Sequence, residues 1–168
     1  GLGQSAFFEP SLLVLAGSSD RFLAASAVRA LGCVDTPASI AALEGALEHA
    51  DSRVRANAVE ALSQLHCTTH ISRLMHMAQH DDGRPRANAI HALMQMRTGD
   101  AMASLNTMLS DQRPSQRQSA LWLVESMGVL ELARHVAEMS LSDPDQNVRS
   151  RAHKVIHLLL RSTDASAA

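Results

Sequence analysis

The 168-residue sequence predicts an all-α chain made of repeated antiparallel helix pairs, and two observations carry that prediction. The stretch D-S-R-V-R-A-N-A-V-E-A-L at Asp51 to Leu62 returns 31 positions later as D-G-R-P-R-A-N-A-I-H-A-L from Asp82, and self-similarity at one fixed period marks a repeat architecture. The hydrophobic residues are mostly Ala, Leu, Met and Val, with three Phe, one Trp and no Tyr. That is the palette of helices, because strands draw on aromatic and β-branched side chains.

The elements follow in order. S-L-L-V-L-A at 11 to 16 reads as an apolar helical run closed by Gly17, with Ser18, Ser19 and Asp20 capping what comes next. Leu12 and Ala16 stand 31 positions before Leu43 and Leu47, so the partial repeat 1–18 is a second helix and the chain is expected to begin in mid-repeat. Repeat 19–50 has Leu23, Ala27, Ala30, Leu31 and Val34 along one face of a helix over 21–33. Thr36 then Pro37 start its partner over 37–48, cap followed by proline in the first turn. Repeat 51–81 copies both helices at 53–65 and 70–79, and repeat 82–111 does so at 84–96 and 101–109. Pro85 stands where Val54 stands, and proline is tolerated only in a first turn, which places that helix start near Gly83 or Arg84. Repeat 112–142 supplies helices at 115–127 and 130–140, and the half-repeat 143–162 one more at 146–160. The tail 163–168 is expected to be disordered.

The pattern D-x-x-V-R-x-x-A-x-x-A-L at Asp51 to Leu62, with variants at Asp82 and at Asp145 to Ile156, resembles the HEAT repeat in its short bacterial form, also called the phycobilisome-lyase-type repeat. The resemblance spans nearly the whole chain, which it implies to be a single right-handed superhelix of helix pairs. First helices would lie on its convex side and second helices would line its concave side. It is specific for fold and weak for function, since the family includes scaffolds, adaptors and occasional enzymes.

Aspartate recurs at 20, 51, 82 and 145, and arginine at 55, 86, 117 and 149. Staggering the two series by one repeat predicts a structural ladder of Asp20 with Arg55, Asp51 with Arg86 and Asp82 with Arg117, because planar guanidinium and carboxylate groups pair closely. Each Asp can also cap its own helix.

Composition excludes several functions. Fifteen basic against seventeen acidic residues lack the basic stripe of a nucleic-acid binder, and no stretch is apolar enough to enter a membrane. Two cysteines, Cys33 and Cys67, make no disulfide framework and fit a cytoplasmic protein. His66, His70, His76 and His80 invite a metal reading, yet repeat phase separates them, so they are expected to be solvent-exposed polar residues and no cofactor is expected. No H-E dipeptide of the kind used by di-iron hydroxylases on repeat folds occurs.

The expected function is a non-catalytic scaffold or adaptor that binds a protein or peptide through the concave face. Its candidate residues are Glu44, Glu48, Met75, His76, Gln79, Asn106, Thr107, Ser110, Arg134, Glu138 and Leu141. Met75 falls in phase with Glu44 and Asn106 rather than with the core, and such a mixed surface suits a partner's peptide or helix. The alternative is an accessory enzyme, bilin-lyase-like or a metal-dependent hydroxylase. The apolar surplus Leu158, Leu159 and Leu160 marks a C-terminal end face for self-association or an adjoining domain.

Overall fold

The computed structural model describes residues 2–65, 71–97 and 100–166, with side chains over 7–65, 71–97 and 100–161. Among the described residues every regular element is helical: α1 (Leu2–Ala16), α2 (Arg21–Leu31), α3 (Pro37–Ala46), α4 (Ser52–Gln64), α5 (Ile71–Met77), α6 (Gly83–Gln95), α7 (Ala101–Leu109), α8 (Pro114–Met127), a 3-10 turn (Leu130–Leu132), α9 (Ala133–Ser142) and α10 (Gln146–Ser166). None is long and apolar enough to cross a membrane. The chain divides into two compact units, Gly1–Met102 and Ala103–Ala168, with the boundary inside the first turn of α7.

In the first unit α2, α4 and α6 pack in series as one layer, while α1 packs on α2 and α3, α3 on α2 and α4, and α5 on α6. The 31-residue period explains the series, since equivalent side chains face the same way in each helix. Val28, Val59 and Ile90 are fully buried, as are Leu31, Leu62 and Leu93 within a few per cent. Each such side chain contributes about 1.5–3 kcal/mol on leaving water. Alanines at 27, 58 and 89 fill the rows between them and let the helices approach closely. One close approach is at Gly32, where an added Cβ would sit 2.9 Å from both Cα and Cβ of Ala61.

In the second unit α10 packs on α8 and α9 around Leu121, Leu123, Val124, Val136, Val148, Ala152, Val155 and Leu159. Gly128, at φ +62°, ends α8 in the left-handed conformation that glycine adopts without a Cβ penalty. Its N–H donates to Glu125 O, and Val129 N–H donates to Val124 O at 3.2 Å, so two terminal carbonyls are satisfied.

Three expectations on elements need correction. α1 reaches back to Leu2 through Pro10, well before residue 11. The helix expected over 130–140 opens as a 3-10 turn and becomes α-helical only at Ala133, with Val129 alone between the Gly128 stop and Leu130. Where disorder is expected over 163–168, α10 continues as helix to Ser166, and residues 167 and 168 lie outside the described residues. The start near Gly83 is as Pro85 requires: the proline falls in the first turn of α6, and Asp82 caps it.

Candidate functional site

The loops between repeats are built by one recurring set of side chains. Two places before each helix cap stands an acceptor for the cap residue's own N–H. Ser18 Oγ accepts from Asp20 N at 3.1 Å, His49 Nδ1 from Asp51 N at 3.0 Å, His80 Nδ1 from Asp82 N at 2.9 Å, Asp111 Oδ1 from Arg113 N at 2.9 Å and Asp143 Oδ1 from Asp145 N at 2.9 Å. The geometry is that of the turns Asp and Ser make with backbone two residues on, here extended to imidazole. Asp20, Asp51, Asp82 and Asp145 then accept N–H groups of the first turn that follows, which an α-helix leaves unpaired.

An arginine four places after the cap holds the same loop from the helix side. Arg55 Nη1 donates to His49 O and Ala50 O, Arg117 Nη1 to Asp111 O and Gln112 O, and Arg149 Nη1 to Asp143 O and Pro144 O. Arg55 Nη2 is left to pair with Asp82 in the next loop, while Arg117 grips Asp143 with Nε at 2.8 Å and Nη2 at 2.7 Å. The expected ladder therefore runs in the opposite direction. Among the described residues Asp20 and Asp51 accept only from their own helices, while Asp82 pairs with Arg55 and Arg117 with Asp143. The reason is that Nη1 is fixed on the preceding loop's carbonyls, which aims Nη2 forward along the chain. Arg86, also buried, donates Nε to Ala78 O.

Electrostatics follow from these contacts. Burial pushes the Asp143 carboxyl up, but hydrogen bonds from Arg117 and the Asp145 N–H outweigh it and hold the carboxyl below its ordinary value. At Asp82 burial is likewise outweighed, by hydrogen bonds from Ser52, the Arg84 N–H and Arg55. Glu9 on α1 is lowered by the hydroxyls of Thr36 and Ser39, which tie its carboxylate to the start of α3.

A second recurring contact crosses the first-helix layer. Asn57 Nδ2 donates to Ala25 O at 2.8 Å and Asn88 Nδ2 to Ala56 O at 3.1 Å, each 32 places back. Where the second unit has Arg151 at that place, it pairs with Glu125 instead. Outside, the Phe22 ring lies 5.0 Å from the guanidinium carbons of both Arg21 and Arg53. These residues all weld repeats together.

The candidate binding residues are on the second helices or just past their ends, Glu48, Gln79 and Ser110 standing in the turns that follow α3, α5 and α7. In the first unit Glu48, Met75, His76 and Gln79 are exposed and Glu44 is half-buried, and Met75 stands 45% exposed two residues from the buried Met77. In the second unit Thr107, Ser110, Arg134, Glu138 and Leu141 are exposed and Asn106 is half-buried. Leu141 is 84% exposed, and Arg134 Nε meets Glu138 Oε1 at 3.2 Å one turn along α9. An open cleft of about 820 Å³ brings Asn106, Thr107 and Ser110 together with Asp111, Gln112 and Arg113. Arg113 forks onto Asp111 through Nε at 3.0 Å and Nη2 at 3.1 Å, so one wall is a fixed ion pair.

Of the four histidines weighed as metal ligands, His66 and His70 lie outside the described residues. His80 has its Nδ1 engaged by Asp82 N, and His76 is exposed. Among the described residues no three His, Cys, Asp or Glu side chains converge as a metal site would require.

The family model for HEAT repeats matches residues 8–94 and again 45–125. The chain belongs to the HEAT repeat family. Among solved structures, this HEAT repeat chain is similar to one in the complex of CpcE and CpcF of phycocyanin lyase from Nostoc sp. PCC7120, at 22% identity and a TM-score of 0.54. The match covers 91% of this chain and 65% of that one, and at such identity the likeness is one of fold. No curated protein matches the chain by sequence.

Sequence reading missed the turn acceptors His49, His80 and Asp143 and the asparagines Asn57 and Asn88. The signal was present at the same period: an acceptor two places before each first-helix cap, and Asn six places after two of those caps, Asp51 and Asp82.

Proposed function

We propose that this HEAT repeat chain is a non-catalytic scaffold that binds a protein segment on the exposed faces of α3, α5, α7 and α9. One observation carries this reading: the second helices present exposed apolar side chains among charged and amide groups, while the buried Arg117, Asp143 and Ser39 are engaged within the chain. In the first unit Met75 offers an apolar anchor of the kind that carries most binding energy, with Glu48 and Gln79 as polar residues of the same unit, and in the second unit Leu141 does so, with Thr107 and Glu138.

The second reading is an accessory role in chromophore attachment, favoured by the similar fold in the phycocyanin lyase complex. Mixing the purified chain with a free bilin and apo-phycocyanin separates the two. The scaffold reading expects no chain-dependent covalent bilin on the acceptor after denaturing gel electrophoresis, and a fluorescent acceptor band that requires the chain would replace it with the lyase reading.

A further inference from the structure

The two ends of the repeat series carry complementary open positions. Three places after each cap stand Leu23, Val54, Pro85, Gln116 and Val148; the last four are buried and Leu23 is 49% exposed. On α1, which takes the second-helix place beside α2, Phe8 is 58% exposed whereas Ser39, 31 places on in α3, is fully buried. At the other end α10 takes a first-helix place, packed on α8 and α9. Ile156 there is half-buried, although its equivalents Leu62, Leu93 and Val124 are buried.

The charges match as the apolar positions do. Arg149 repeats the Arg55 arrangement, with Nη1 on two loop carbonyls, but its Nη2 has no acceptor among the described residues. Asp20 uses Oδ1 for both cap hydrogen bonds and leaves Oδ2 open. Arg55 reaches an Asp that begins the next first helix after one intervening second helix. The order α10, then α1 of another copy, then Asp20 restates that arrangement.

We propose that α10 of one copy docks on α1 and α2 of a second copy, so that α10 and α1 make a helix pair across the junction and Arg149 pairs with Asp20 of the second copy. The chemistry selects a second copy because the same loop grammar supplies both the open guanidinium and the open carboxylate. Leu158, singled out from the sequence as end-face residue, takes no part. Its equivalents Gln64, Gln95 and Ser126 lie on the outer, polar side of their helices, so Leu158 faces away from the stacking side. The contact is head-to-tail, hence it joins two different surfaces and can continue beyond a dimer.

Charge-swapped variants test this by sedimentation velocity over a concentration series. Arg113 already caps α8 without a side-chain hydrogen bond, so Asp20→Arg has a precedent within the chain; circular dichroism confirms that each variant is helical. The parent should associate with rising concentration. Arg149→Glu and Asp20→Arg alone should each weaken association at least ~10-fold, since like charges then oppose. An equimolar mixture of the two variants should regain association, since both mixed junctions pair opposite charges while each variant alone pairs like ones, and Leu158→Glu should behave as the parent. A parent that stays monomeric at every concentration overturns the proposal and leaves the α1 face to another occupant. So does association that Leu158→Glu abolishes, or that neither swap weakens.

Discussion

Removing Asp143 should unlock the second unit. Arg117 and Asp143 have side chains only 7% and 4% exposed and share two charge-assisted hydrogen bonds at 2.8 and 2.7 Å. Truncating one partner of a buried pair leaves the other charge uncompensated, at a cost of about 3–5 kcal/mol. Asp143→Ala keeps the two Arg117 Nη1 bonds to Asp111 O and Gln112 O but also loses the acceptor for Asp145 N–H, which adds about 1 kcal/mol. We expect about 4 kcal/mol for Asp143→Ala and a similar loss for Arg117→Met, with the double variant better than their sum by about 2 kcal/mol, since it strands no charge. Urea unfolding followed by circular dichroism at 222 nm gives all three values. The Asp143 carboxyl lies below its ordinary 3.8 in the folded chain, so the unfolded chain binds more protons in acid. Its contribution is complete at neutral pH and falls as pH drops below that value towards the folded one. The deficit of Asp143→Ala should therefore shrink in acid. Additive single effects, or a deficit unchanged in acid, would refute the clamp.

Other substitutions separate close packing from loop chemistry. Gly32→Ala should destabilise by about 1–3 kcal/mol because its methyl meets the backbone of Ala61. Gly45→Ala in α3, where nothing lies within 4 Å of the new Cβ, should stabilise by about 0.5–1 kcal/mol through helix propensity; thermal melts of both report the sign. Asn88→Ala should cost about 1 kcal/mol by losing its bond to Ala56 O, and faster amide exchange in α4 and α6 is the accompanying readout. His80→Asp should be nearly neutral in urea, since Asp143 fills the same turn place. His80→Ala should lose about 1 kcal/mol, the worth of one turn hydrogen bond.

The fold was legible in the sequence because a solenoid repeats its instructions. The alanine, valine and leucine columns gave each helix its buried face, and Thr36-Pro37, Pro85 and the cap aspartates placed the starts within a residue or two. The ladder direction was not legible. Alignment shows that Asp and Arg alternate, but only coordinates show that Nη1 is held by the preceding loop, which turns the other nitrogen forward. The role of the histidines was not legible for a related reason: repeat phase set the metal reading aside, but residue type alone does not show that the place two before a cap makes His49 and His80 turn acceptors. The second-helix surface was predictable in phase, as Met75 and Met77 show, yet phase says nothing of what binds there.

The most direct test of the scaffold account is quantitative affinity capture from native lysate with the parent, a Met75→Glu variant, a Leu141→Glu variant and Leu158→Glu as a control off the second-helix face. The account predicts one protein retained stoichiometrically by the parent and by Leu158→Glu and lost with either second-helix variant. Retention that ignores Met75→Glu and Leu141→Glu, or is lost only with Leu158→Glu, would contradict it.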